Sequence, residues 1–140
     1  ATALAYGILS GMYRKGRPLP EGHRFSGADP ESHKRFTAEA LELVEKLIPI
    51  AEGKGIDLPA MAHAWLQRRP GITCPIVGPR TVEHFRAALA TIDITFTQDE
   101  LDAIDEAIPP GTWVSDFYFG NTYAHLVRSI NHPENPTGYY

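Results

Sequence analysis

The residues best suited to chemistry lie where an apolar segment meets the start of a helix. The segment IVGPRTVEHF at 76–85 predicts a strand that ends at Gly78 and a helix that Thr81 caps. Free backbone N–H groups and the helix dipole favour a bound anion at such a junction. Arg80 adds a planar set of donors that suits a phosphate. We therefore predict a phosphate site at Gly78, Arg80 and Thr81, with His84 within reach from the first turn of the helix.

A plainer interpretation of the same junction stays open on the local pattern alone. In that interpretation Thr81 only caps its helix, and Arg80 pairs with a nearby acid such as Glu83. His84 is then a solvated helix residue. Turns of this kind that contain a glycine and an arginine are common, so the pattern by itself does not decide.

Metal, nucleic-acid and membrane chemistry have little support in the sequence. The six histidines show neither His-Glu-x-x-His nor Cys/His spacing, so we expect no metal site. Cys74 is the single cysteine, which excludes an internal disulfide and leads us to expect a reducing, cytoplasmic setting. The formal charge of −4 comes without a basic stripe, and no apolar run approaches the ~20 residues of a membrane span. We expect neither nucleic acid nor membrane as a partner.

Two short apolar segments are predicted as buried strands. Residues 2–6 form an apolar run that ends in a turn at Gly7 and Gly11. Residues 72–77 are apolar and β-branched, although Pro75 cannot donate a hydrogen bond to a neighbouring strand. Helices between such strands are typical of a parallel βαβ arrangement.

The longest predicted helix follows an exposed loop at 12–27. Its start is indicated by Asp29-Pro30-Glu31, which supplies a capping side chain, a proline in the first turn and an acid. Apolar residues then repeat at helical spacing from Phe36 onward. Pro49 predicts a kink or an early end, and glycines at 53 and 55 finish the helix.

Three shorter helices are predicted further along the chain. Asp57 caps the first, which Pro70-Gly71 terminates. The next is short and runs from Val82 to Leu89. The last begins at Thr97 with a capping box and ends before Pro109. An aromatic tail follows.

Spaced motifs along most of the chain resemble a known family. They are Leu4-Ala5-x-Gly7-x-Leu9-Ser10-Gly11-x-Tyr13, Ala64-Trp65-Leu66, Pro70-Gly71 and Pro75-Ile76-Val77-Gly78-Pro79-Arg80-Thr81. In this order they resemble the C-terminal portion of the aldo-keto reductase family, from the first residue to about Phe119. The resemblance implies an α/β fold: the last two strands of a (β/α)8 TIM barrel with their helices, a C-terminal helix and a tail. The implied activity is reduction of aldehydes or ketones by hydride transfer from NADPH.

The resemblance also implies roles for individual residues. Residues 2–6 and 73–77 are then the seventh and eighth strands of the barrel. The residues implied to line the cofactor pyrophosphate are Leu4, Gly7, Leu9 and Gly11. The residues implied to hold the adenosine 2′-phosphate are Gly78, Arg80 and Thr81, with His84 beside them. Barrels often bind phosphate in the loops after their last two strands, which agrees with this placement.

The departures from the family pattern are as informative. Met12 stands where a lysine is frequent and His84 where a glutamine is frequent, and Ala87-Ala88 replaces a Glu-Asn pair that contacts adenine. The loss of these adenine contacts leads us to expect weaker cofactor binding. The catalytic tyrosine, lysine, aspartate and histidine of the family cannot be assigned to any residue here, so we predict no catalytic residue in this chain.

We read the chain as a partial barrel of one domain. Its parts are a strand and cofactor loop at 1–11, helices at 29–70, the last strand and helix at 72–90, the C-terminal helix at 97–108 and an aromatic tail at 112–140. Because a complete barrel takes about 250 residues, we expect association with the missing N-terminal half or into a homo-oligomer. The opening at Ala1 looks like a cut through a larger protein.

Two alternatives stay open at this point. The whole chain could be a non-catalytic truncated remnant, acting as a weak nucleotide-binding or protein-interaction module. The tail aromatics, among them Trp113 and Phe117, could wall a pocket for the carbonyl substrate or cover the rim of the barrel or a partner.

Overall fold

The structure is a computed structural model that describes residues 3–23, 25, 36–112 and 114–115. In these ranges all regular secondary structure is helical. The elements are a first 3₁₀ helix Ala5–Ser10, helix α1 Ala38–Gly53, helix α2 Leu58–Gln67, helix α3 Val82–Ala90, a second 3₁₀ helix Thr91–Asp93 and helix α4 Gln98–Ala107. No helix in these ranges has the length and hydropathy needed to cross a bilayer.

The two predicted strands are not present in the described residues. Residues 3–4 form a turn and Ala5–Ser10 a 3₁₀ helix, while residues 74–79 carry no regular secondary structure. A strand needs a neighbour whose backbone groups complete its hydrogen bonds, and the described part of the chain offers none. Near the start these bonds are made locally instead. The Gly7 N–H donates to the Leu4 carbonyl at 2.8 Å, and the Leu9 N–H donates to the same oxygen at 3.2 Å.

The first 3₁₀ helix contains an unusual run of left-handed backbone. Ala5 and Tyr6 have φ of 47° and 60°, and Gly7 follows with φ of 101°. Left-handed geometry costs about 1–2 kcal/mol for each residue other than glycine. This segment therefore carries strain that an extended strand would not have.

Helix α1 begins at Ala38 in the described residues. Its N-cap is Thr37, whose hydroxyl accepts from the Ala40 N–H at 3.1 Å, and Phe36 precedes the helix. The predicted start at Asp29–Glu31 lies outside the described residues. The early end predicted at Pro49 is wrong, because the helix continues to Gly53. Pro49 lies on an exposed face, where water can take the place of the donor that proline lacks.

The end of α1 follows the glycine signal. Gly55 has a φ of 75°, its N–H donates to the Glu52 carbonyl at 2.9 Å, and the Ile56 N–H donates to the Ala51 carbonyl at 3.1 Å. This pair of bonds is a Schellman motif, which satisfies carbonyls that the helix end leaves open. Asp57, the N-cap of α2, follows directly after Ile56, so the two helices are joined tightly.

The core lies between α1, α2 and α4. The first 3₁₀ helix rests on α1 and α2, and α3 packs on α2 and on the second 3₁₀ helix. The buried apolar side chains of the cluster are Ile8, Tyr13, Phe25, Ala40, Val44, Leu47, Ile48, Ala51, Leu58, Met61 and Ile104. The ammonium of Lys54 reaches Glu100 at 2.8 Å and ties the end of α1 to the capping box of α4. Helix α3 buries none of its residues.

Ile104 is the one residue of α4 that is fully inside this core. We expect Ile104→Val to lower the free energy of unfolding by about 0.5–1.5 kcal/mol, because a buried methylene is lost and a void remains. Urea unfolding followed by far-ultraviolet circular dichroism measures the change. Ile92→Val is the matched control, since Ile92 is 57% exposed and should change stability little. Equal losses for the two variants would contradict the placement of α4.

Candidate nucleotide-phosphate site

The predicted phosphate site is the turn that leads into α3. Thr81 is the N-cap in extended backbone, and its hydroxyl accepts from the His84 N–H at 3.2 Å. The Phe85 N–H donates to the Thr81 carbonyl at 3.1 Å. The capping part of the plainer interpretation is therefore observed. It is compatible with anion binding, because a capped helix keeps its dipole and its outermost amides.

Arg80 and Gly78 precede this cap on an open surface. Both are exposed, and a Cβ added to Gly78 would meet nothing within 4 Å. Within the described ranges, Arg80 makes no hydrogen bond or ion pair, so the pair with Glu83 suggested by the plainer interpretation is not formed. The guanidinium is available to an incoming anion.

Glu83 places a negative charge in this turn, opposite in sign to the charge of Arg80. Hydrogen bonds from its own amide and from the Thr81 hydroxyl lower the pKa of the Glu83 carboxyl, and the nearby His84 acts in the same direction. A carboxylate in the first turn of a helix is favoured by the dipole. A bound phosphate would have to share these donors with Glu83.

The residues predicted to line a pyrophosphate form a second group at the start of the chain. The Leu4 carbonyl closes the first turn, Leu9 is half-buried against the core, and Gly11 has a φ of 77° at the end of the 3₁₀ helix. In the described contacts no hydrogen bond or ion pair joins residues 4–11 to residues 78–84.

An open cleft of about 650 Å³ lies beside the second group. Its described walls are residues 10–12 with Arg14, the C-terminal half of α1, and residues 55–59 at the start of α2. Of the eight predicted site residues, Gly11 is the one that lines it in the described part of the chain. The cleft places Gly11 next to a surface that also carries Glu52 and Asp57.

Sequence reasoning missed the contacts that fix the loop after Gly11. Arg14 donates to both carboxylate oxygens of Glu45 from Nε and Nη2, each at 2.7 Å. The Lys15 N–H donates to the same carboxylate at 3.0 Å, and the Lys15 ammonium pairs with Glu42. We call the three hydrogen bonds to Glu45 the loop anchor. The available signal was the spacing of two acids three residues apart on α1 together with two adjacent basic residues in the loop.

The loop anchor lowers the pKa of the Glu45 carboxyl. The hydrogen bond from Arg14 is the largest cause that lowers the pKa of Glu45 from 4.5 to about 2, and the Lys15 N–H adds to it. Because the folded-state pKa lies below the unfolded value, this carboxylate stabilises the fold above about pH 4.5 and loses its effect as the pH falls towards 2.

Comparison with known proteins now decides the family. The sequence model of the aldo/keto reductase family matches residues 1–109. The chain belongs to the aldo-keto reductase family. This confirms the family that the spaced motifs indicated, whereas the assignment to its C-terminal portion stays a prediction. The family fold is a (β/α)8 barrel, of which the described residues show helices and no strand.

Curated relatives support the assignment. L-glyceraldehyde 3-phosphate reductase of Escherichia coli O157:H7 is 30% identical over 116 residues, covering 79% of this chain and 33% of that protein. Norsolorinic acid reductase of Aspergillus flavus is 27% identical over 105 residues, covering 74% and 25%. A probable voltage-gated potassium channel subunit beta of Arabidopsis thaliana is 28% identical over 109 residues, covering 75% and 33%. The chain spans about a quarter to a third of the length of these aldo-keto reductase relatives.

The low pKa of Glu45 gives a test of the loop anchor. We expect the urea midpoint of Glu45→Gln to lie below that of the unaltered chain at about pH 7, and the gap to shrink as the pH falls from about 4.5 towards 2. The shrinkage follows because protonation removes the ion pair from the unaltered chain as well. Chemical unfolding at a series of pH values measures it. A gap that stays constant with pH would contradict an ionised Glu45 in the anchor.

Proposed function

We propose that this chain supplies the cofactor phosphate site of an NADPH-dependent oxidoreductase that reduces aldehydes or ketones by hydride transfer. The observation that carries the proposal is Arg80, exposed and unpaired within the described ranges, directly before the capped N-terminus of α3. This turn lies inside the stretch that matches the aldo-keto reductase family. Family members generally use a nicotinamide cofactor and act on small carbonyl compounds.

The proposed division of labour follows from the chemistry of each group. Gly78 allows the phosphate to approach the backbone, Thr81 holds the first turn of α3 in place, and Arg80 provides charge-assisted hydrogen bonds. His84 adds a donor from the first turn. The pyrophosphate is bound, in our proposal, by the group at the start of the chain: Leu4, Gly7, Leu9 and Gly11.

The nicotinamide cofactor would supply the hydride, and we assign no residue of this chain as the acid that completes the reaction. Tyr13 is 3% exposed and packs edge-on against Phe25 and Phe36 with ring centroids 5.4 and 5.3 Å away, so its role is packing. The proton donor belongs, in our proposal, to the remaining part of a complete barrel. The proposed setting is the cytoplasm, where Cys74 stays reduced.

Arg80→Ala, made in an intact barrel that contains this chain, tests the 2′-phosphate contact. A charge-assisted contact contributes about 1.5–3 kcal/mol, so we expect NADPH to bind about ten- to a hundredfold more weakly and NADH to change by less than about twofold. Titration of nicotinamide fluorescence measures both dissociation constants. Arg86→Ala is the matched control because it removes a second exposed arginine from α3. Equal losses for NADPH and NADH would refute the assignment.

A second expectation concerns the isolated chain. We expect no NADPH-dependent aldehyde reduction above a buffer control, because general acid catalysis typically contributes about 10²–10⁴ in rate and no acid is assigned here. Loss of absorbance at the nicotinamide band under saturating aldehyde measures turnover. Clear turnover would show that a residue of this chain acts as the acid.

A non-catalytic interaction module is the second candidate. It is favoured by the exposed apolar stripe of α3, in which Val82, Phe85 and Leu89 are 59%, 47% and 48% exposed at helical spacing. The reading frame upstream of Ala1 discriminates the candidates. An in-frame continuation with the catalytic Asp, Tyr, Lys and His favours the enzyme, whereas a start codon there favours the module.

A further inference from the structure

The loop after Gly11 is fixed to the fold on two sides. On one side the ring of Tyr13 is buried among the aromatic side chains of Phe25 and Phe36. On the other side Glu45 accepts three hydrogen bonds from the next two residues of the loop, two from the Arg14 guanidinium and one from the Lys15 N–H. Gly11 therefore has little freedom, although a glycine with positive φ is an inherently adaptable position.

The charge arrangement in the anchor points to positioning rather than to direct binding. The guanidinium of Arg14 is occupied by a bidentate carboxylate, and the side chains of Arg14 and Glu45 are only 26% and 32% exposed. An arginine held in this way is not free to grip an anion in the adjacent cleft. The contact instead holds the backbone of residues 11–15 against α1.

We propose that Glu45 is a positioning residue for cofactor binding: it holds the Gly11–Lys15 segment in the conformation that receives the pyrophosphate. The inference rests on the proposed function, because it requires Gly11 to lie at the pyrophosphate. A loop that is already ordered loses less entropy on binding, which strengthens binding without a new contact. NADPH and NADH share the pyrophosphate, so both depend equally on this segment.

The opposite sign is expected if Glu45 acts only through its charge. Its carboxylate would then repel the cofactor, and its removal would release Arg14 to bind phosphate. Glu45→Ala would strengthen binding in that case. The direction of the change therefore separates positioning from simple electrostatics.

The experiment compares Glu45→Ala and Glu45→Gln with Glu42→Ala in the full chain, by titration of NADPH and NADH. Glu42 lies one turn earlier on α1 and also pairs with the loop, but only through the exposed Lys15 ammonium. We expect Glu45→Ala to weaken both cofactors equally, by about tenfold, as loss of loop order predicts. Glu45→Gln keeps an acceptor oxygen, so its dissociation constants should lie between those of the unaltered chain and those of Glu45→Ala. Glu42→Ala should stay within about twofold of the unaltered chain.

Amide hydrogen exchange supplies the readout that a general loss of stability would not reproduce. In Glu45→Ala we expect the Lys15 amide to lose protection while the amides of α4 keep theirs. Parallel loss of protection in α4 would show a merely structural role and overturn the proposal. Unchanged or tighter binding of both cofactors by Glu45→Ala would overturn it as well.

Arg80→Ala, measured beside these variants, distinguishes failure of the proposed function from failure of the positioning role of Glu45 alone. If the unaltered chain binds neither cofactor, or if Arg80→Ala weakens both equally, the proposed function fails, and this inference fails with it. If Arg80→Ala selectively weakens NADPH while Glu45→Ala behaves like Glu42→Ala, the phosphate site stands and the positioning role of Glu45 is wrong.

Discussion

Backbone hydrogen bonding is the constraint on which this structure depends. An amide or carbonyl buried away from water must find a partner, and a helix provides that partner within its own segment. A parallel strand must find it on a neighbouring segment. In the described residues the helices form and the two apolar segments predicted as strands do not. The local bonds to the Leu4 carbonyl show how the start of the chain satisfies its amides without a neighbour.

The same constraint explains which parts of the fold could be predicted from sequence. The caps at Asp57, Thr81 and Thr97 can be predicted from a few adjacent residues, because the capping side chain bonds to an amide only two or three positions away. The early end of α1 predicted at Pro49 was wrong for a related reason. The local cost of the proline is real, but packing of α1 on both sides of it keeps the helix intact to Gly53.

Contacts between distant segments limit how much of the candidate site can be predicted from the sequence. The Thr81 cap follows from local sequence, so the capped turn could be anticipated, whereas phosphate binding at this turn stays a prediction. The anchor between Arg14 and Glu45 spans 31 positions of the chain, and no periodic pattern encodes which acid meets which base over that distance. Whether residues 4–11 and 78–84 meet depends likewise on closure of a sheet, which no local signal reports.

Helix α3 combines two demands that do not compete for the same surface. Arg80 directly precedes the cap at its N-terminus, where we propose that a phosphate binds, whereas Val82, Phe85 and Leu89 form a stripe along its length. A layer that covers the stripe leaves the turn open. Because burying a half-exposed apolar side chain contributes about 1 kcal/mol, covering three of them would also fix the orientation of the helix. Under the proposed function, cover on the stripe would orient Arg80 for the phosphate, as we propose that the loop anchor orients Gly11 for the pyrophosphate.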